Sequence, residues 1–401
     1  MKRHNYPPAS QSWLILCLGI AFYFSGFFHR MLTAVMADQL MSDFNIGAAS
    51  LGNFSSFYYY SYVAVQIPTG ILSDYWGPRK LLTAGALLSS FGAFIFASAS
   101  SIEAANMGRL VIGASMGVAW ISILKLTTRW FKPNQFAVVT GVALCLGILG
   151  ALSAGAPLRL LMNLLGWRSV IFYAGAVTFI LSLAIWIFMR DDPAQKGYDS
   201  YTENAHHFNR ITRASVLSDL IQTIRYKNTW ILAIVSACVI GPVLTFSGLW
   251  GIPYLTTHYN LPPVKSAALI STLLISCAIG APVLGALSER MGRRKPIYFY
   301  SQCICLFGWI PILYIPDISL WVLVVLFSIV GFASGSIVVG MAFVKESVPI
   351  GLAGTVSGIG NMGMEMGPMI LQPMIGLLLD FRWDGLLENG RSDSESLRIA
   401  G

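Results

Sequence analysis

The chain alternates long apolar runs with short polar connections. A helix that crosses a bilayer needs about 20 mostly apolar residues. Runs of that kind cover 12–40, 50–72, 81–100, 105–128, 136–160, 169–189, 229–256, 266–288, 296–315, 319–343 and 351–379, which predicts eleven transmembrane helices. One connection stands apart. Residues 190–228 carry Asp191, Asp192, Lys196, Glu203, His206, His207, Arg210, Arg213, Arg225 and Lys227, with six runs before them and five after. The expected organisation is an N-terminal six-helix bundle over 1–189, a cytoplasmic linker over 190–228, a five-helix bundle over 229–379 and a polar tail over 380–401. Within the linker, the stretch around Ala214–Ile224 has the pattern of a short amphipathic surface helix.

Composition sharpens this. Hydrophobic residues make up 55% of the 401 and charged residues 11%, against about 25% charged in a soluble domain. Too few polar side chains exist to meet water, so lipid must cover the helices. The 26 Lys/Arg exceed the 18 Asp/Glu by eight. Such an excess points to nucleic acid only when it clusters on a water-facing element. Here it sorts by side instead. With the N-terminus in the cytoplasm, eighteen of the 26 basic residues fall on that side, six fall opposite, and Arg30 and Arg109 lie inside spans. That asymmetry is the positive-inside pattern of a multi-pass inner (plasma) membrane protein. It explains the basic balance without nucleic acid. Six cysteines all sit in apolar runs and read as buried small hydrophobes, not disulfides or metal ligands. Neither a metal nor a cofactor is expected.

A repeat follows. After the second run the chain reads Gly70-Ile-Leu-Ser-Asp74-Tyr-Trp-Gly77-Pro-Arg79-Lys80, and after the eighth it reads Gly285-Ala-Leu-Ser-Glu289-Arg-Met-Gly292-Arg-Arg294-Lys295. The offset is 215 residues at every matched position. Duplicated halves mark secondary transporters. In each copy the first glycine suits a close helix approach and the second a turn at positive φ. The acid and the basic pair suit a charged latch at a cytoplasmic helix end, made and broken as the halves move.

With both copies of this loop, and with Arg109-Leu-Val-Ile-Gly113-Ala-Ser-Met-Gly117 in span 4, the sequence resembles the major facilitator superfamily over about 12–379. The resemblance implies an all-α polytopic fold of two bundles around a central cavity that opens alternately to each side. Phe28-His29-Arg30, Ala37-Asp38, Tyr58-Tyr59-Tyr60-Ser61-Tyr62, Gln66-Ile67-Pro68-Thr69-Gly70, Lys125 to Phe131 and Gln372-Pro373 look like the anion:cation symporter and sugar-phosphate permease branch. In several members of that branch a helix-1 Arg binds the anionic group, and Arg30 is its match. The resemblance also leaves helix 12 without a counterpart, since 380–401 holds no apolar run of spanning length.

Ionisable groups inside spans are costly and mark function by default. Arg30 offers a fork of donors suited to a carboxylate or phosphate. Glu365 is the acid in mid-span, a candidate proton carrier or the counter-charge of an arginine. Arg109 and His29 join it as candidates for proton coupling. At 100° per residue, Tyr58 and Tyr62 share a helix face that Gln66 continues, giving hydroxyl and amide donors to a substrate. Trp250 and Tyr254 are further substrate-binding candidates. Two arginines against one carboxylate favour an anion. The expected function is proton-coupled secondary transport of a small organic anion by a monomer. The alternatives are an exporter of drugs or siderophores, and a transport-inactive remnant or receptor. No nucleotide loop, metal triad or nucleophile elbow suggests an enzyme or ATP drive.

Overall fold

The structure, a computed structural model, describes residues 5–201, 221–315, 317–349 and 352–382. The expected amphipathic helix lies largely outside the described residues, as do the tail and with it the question of a twelfth helix. Among the described residues the fold is helical. In chain order the α-helices are α1 (Ala9–Phe44), α2 (Ala48–Ala97), α3 (Ile102–Met116), α4 (Ala119–Trp130), α5 (Phe136–Ser153), α6 (Ala156–Leu165), α7 (Trp167–Phe188), α8 (Lys227–Thr245), α9 (Gly251–His258), α10 (Pro263–Met291), α11 (Arg294–Tyr314), α12 (Leu320–Ser334), α13 (Ile337–Glu346) and α14 (Ala353–Arg382).

Ten stretches of the described residues are long and apolar enough to cross a membrane, where the sequence predicts eleven. The difference lies in α2. It runs for 50 residues, about 75 Å at 1.5 Å per residue, more than twice the roughly 30 Å of a hydrocarbon core. The predicted span 50–72 and most of 81–100, up to Ala97, fall within it; of the two, only the second, as Tyr75–Ala97, is among the ten. Gly77 breaks the helical geometry between them at φ 76°, ψ 160°. That conformation favours glycine, as the repeat predicts. Its counterpart Gly292 ends α10 in the left-handed region at φ 61°.

Other predicted spans are also composite. The run 105–128 divides into α3 and α4 after Gly117, and 319–343 divides into α12 and α13 after Gly335. Gly117 and Gly335 stand 218 residues apart, three more than the loop repeat, so the two halves break at closely similar places. The run 136–160 ends as a helix at Ser153 and resumes at α6, which begins with Pro157 in its first turn, a position where the missing N–H costs nothing. Between α8 and α9 the chain stays helical but widens into one π turn, Phe246–Trp250.

By Cα proximity the chain falls into two compact units. One holds Met1–His29, Tyr60–Ala151 and Arg168–Ser218; the other holds Arg30–Tyr59, Leu152–Trp167 and Asp219–Gly401. The first packs around Phe22, Leu82, Phe96, Ile112, Leu126 and Trp130, and the second around Leu249, Leu255, Leu273, Phe327 and Val330. Large apolar side chains such as Leu164 and Trp321 point outward, each 82% exposed, as lipid-covered helices require. The cysteines correct an expectation. Cys305 is buried, but Cys17, Cys145 and Cys238 are exposed on apolar helices, so these three are not the buried small hydrophobes the sequence suggested.

Candidate functional site

In the second unit, Arg30 of α1 and Glu365 of α14 form an ion pair, Nη1 to Oε1 at 3.0 Å, with side chains only 7% and 4% exposed. The guanidinium also lies over two rings, 5.7 Å from the Tyr58 centroid and 5.9 Å from that of Tyr59. Ring faces attract a cation, most strongly away from water. The pair is therefore held on two sides. The second carboxylate oxygen, Glu365 Oε2, is buried with no hydrogen-bond partner among the described residues.

Two turns along α14 from Glu365 lies Gln372, fully buried and on the same helix face. Its carbonyl accepts a hydrogen bond from Trp250 Nε1 at 3.1 Å. The hydroxyl of Tyr254 donates to the carbonyl of Ile312 at 2.7 Å. Both Trp250 and Tyr254 were expected to bind substrate. The structure instead spends these donors on backbone carbonyls of α14 and α11, so each fastens one helix to another.

In the first unit, Arg109 is fully buried and its Nη1 donates to the His29 carbonyl at 2.6 Å. The His29 ring is also buried, and neither ring nitrogen has a hydrogen-bond partner among the described residues. Tyr62 and Gln66 lie buried further along α2, at 7% and 6% exposure. The structure thus joins Arg30, Glu365 and Tyr58 in one cluster and Arg109 with His29 in another.

Each copy of the repeated loop finds an acidic partner that the motif itself does not contain, Asp191 for the first and Glu346 for the second. For Gly70 and Asp74 only the helical backbone is described. Arg79 donates from Nη2 and Nε to the Trp186 carbonyl at 2.6 and 3.0 Å and lies 4.5 Å from the Trp186 ring centroid. Its backbone N–H donates to Asp191 Oδ1 at 2.6 Å. A Cβ on Gly77 would come within 2.7 Å of Asp191 Oδ2, so the missing side chain makes room for that carboxylate. In the second copy Arg294 pairs with Glu346 at 3.0 Å and donates to Ser288 Oγ at 3.2 Å. Glu289, expected to be the latch acid, is exposed. Gly285 is a further correction: a Cβ there would meet only Val338 Cγ1, at 3.9 Å, so no close helix approach requires it. Lys80 and Lys295 are exposed.

Several polar groups escaped the sequence reading. Arg159 counted there as a loop charge. It is 9% exposed and grips Asp38 with two bonds of 2.7 Å, adding a third to the Val35 carbonyl. Asp380, near the end of α14, accepts from the backbone N–H groups of Ala48 and Ala49 at 2.9 Å each, capping α2. The available signal for Arg159 was its place at the end of an apolar run, three residues after Ala156 restarts a helix.

Sequence comparison places these features among known proteins. The profile of the Major Facilitator Superfamily matches residues 16–252 and 232–387. The probable sulfoacetate transporter of Cupriavidus necator is 23% identical over 283 residues, 70% of this chain and 65% of that protein. The probable hexose phosphate transport protein of Chlamydia muridarum is 22% identical over 319 residues, 75% of this chain and 69% of that protein. The chain thus aligns with about two thirds of the length of these relatives. Among solved structures, a bacterial homologue of the human lysosomal transporter Spinster superposes with a TM-score of 0.74 at 16% identity, covering 94% of this chain and 85% of that one.

Proposed function

The chain belongs to the Major Facilitator Superfamily, and from that premise we propose that it is a secondary transporter of a small organic anion in the inner (plasma) membrane, with its N-terminus in the cytoplasm. The observation that carries the reading is the buried pair of Arg30 and Glu365. An anion that reaches Arg30 competes with Glu365 for the same fork of donors. The Tyr58 and Tyr59 rings keep the guanidinium in place while its partner changes. A displaced carboxylate without a counter-ion is costly in a dry interior. It is neutral once protonated, so anion and proton would move together. The names of two relatives, a sulfoacetate and a hexose phosphate transporter, agree with anionic cargo. The eighteen-to-six division of basic residues supports the orientation. Arg109, bonded to the His29 carbonyl, ties span 4 to span 1 and is the second candidate for a part in proton coupling.

The test is uptake into proteoliposomes of a panel of organic phosphates, sulfonates and carboxylates, with and without an imposed pH gradient. Arg30→Ala is expected to abolish uptake. Glu365→Gln is expected to retain anion exchange and lose gradient-driven accumulation. Unchanged uptake in both variants sinks the proposal.

A further inference from the structure

Gln372 stands out among the buried polar groups of the second unit. It is fully buried, and neither amide atom has a hydrogen-bond partner among the described residues. A buried primary amide that makes no bond costs far more than one that does. Its backbone is held from two sides. Trp250 Nε1 donates to its carbonyl, and Gly52 of α2 packs directly on the same carbonyl, where a Cβ would collide with it. Among the described residues the amide is therefore unpaired on a rigid support, which is how binding groups are presented.

What it faces is defined by Gly248. This glycine lies in the π turn Phe246–Trp250, a feature that recurs at functional sites. A Cβ on Gly248 would come 3.3 Å from Gln372 Nε2, 3.5 Å from Tyr59 Oη and 3.9 Å from the Arg30 carbonyl oxygen. An amide and a phenol hydroxyl thus converge on one point beside Arg30, and the residue opposite has no side chain. The Tyr59 ring already touches the guanidinium of Arg30, so this point adjoins the proposed anion site.

We propose that Gln372, Tyr59 and Gly248 form a second subsite that recognises a hydroxyl on the transported anion, so that the cargo is a hydroxylated organic anion. This rests on the reading of Arg30 as the anion site. A primary amide both donates and accepts, and so does a hydroxyl. A site built to bond a hydroxyl rejects an analogue that lacks it, because its own buried groups stay unpaired.

The experiment is calorimetric binding to the purified full chain with two matched pairs of probes. Glucose 6-phosphate is compared with cyclohexylmethyl phosphate, and glucuronate with cyclohexanecarboxylate. Each pair keeps the ring and the anionic group and differs in the hydroxyls. The wild type is expected to prefer the hydroxylated member of at least one pair. Gln372→Leu should weaken that member about 10- to 100-fold, the effect of one lost buried hydrogen bond, and leave its partner unchanged. Gly248→Ala, which keeps the amide and fills the point it faces, should lower the same preference, which guards against a Gln372 variant that fails to fold. Arg30→Ala should abolish binding of both members. If anions bind through Arg30 but neither variant alters the preference for hydroxyls, the subsite is refuted and the anion site stands. If no probe binds the wild type, or if binding survives Arg30→Ala, the anion reading falls and the subsite with it.

Discussion

Removing one half of the Arg30–Glu365 pair should be more damaging than removing both. At 3.0 Å and an effective dielectric constant of about 20, the attraction is worth about 5.5 kcal/mol before desolvation is subtracted. Both side chains are more than nine-tenths buried, so solvent screens the interaction little. Arg30→Met leaves a buried carboxylate, and Glu365→Leu leaves a buried guanidinium against two tyrosine rings. Each should cost about 3–5 kcal/mol, whereas the double variant replaces the pair by apolar groups and should cost less than either single change. The assay is titration of the protein in mixed micelles with sodium dodecyl sulfate, followed by far-ultraviolet circular dichroism and arranged as a double-mutant cycle. A coupling of at least ~2 kcal/mol is expected. Single costs that add to within ~0.5 kcal/mol in the double variant would refute the pair as an energetic unit. The same double variant should fold and fail to transport. If it carries substrate as the wild type does, the pair is a packing device only.

Two further outcomes bear on the helix ends. Asp380→Ala removes the cap from two N–H groups of α2 and should lower stability by about 1–2 kcal/mol, with Asp380→Asn costing less because one acceptor remains; unchanged stability in Asp380→Ala would mean the cap contributes nothing. Gly77→Ala puts a side chain at φ 76° and against the Asp191 carboxylate, which should cost at least ~1–2 kcal/mol and show as a lower midpoint in thermal unfolding, while an unchanged midpoint would mean the break relaxes freely.

The sequence was informative where the determinants are local. Apolar runs marked the helices because a bilayer demands both length and composition. The repeated loop forecast the positive φ of Gly77 and Gly292 because a turn is encoded within a few residues. Partners across the fold were not legible. Asp191 meets Arg79 from 112 positions away and Asp38 meets Arg159 from 121, and a single sequence carries no mark of such distance. Arg30 and Glu365 were each conspicuous as charges inside spans, and their pairing was one of several open possibilities. Tyr59 was set aside because it does not share the Tyr58 face, yet a guanidinium on a long stem reaches both rings. The carbonyl partners of Trp250 and Tyr254 were not legible either, because an aromatic donor in a span looks the same whatever accepts from it.

The cap on α2 also has a bearing on the order in which the protein is made. Ala48 and Ala49 leave the ribosome more than 300 residues before Asp380. Until that carboxylate arrives, the first amides of α2 have no acceptor from this source, and a helix start in or near lipid cannot leave them bare. The second helix of the chain is thus inserted early and completed late. Completion of the start of α2 therefore waits on the last of the described helices, and a chain stalled before that point would lack this cap.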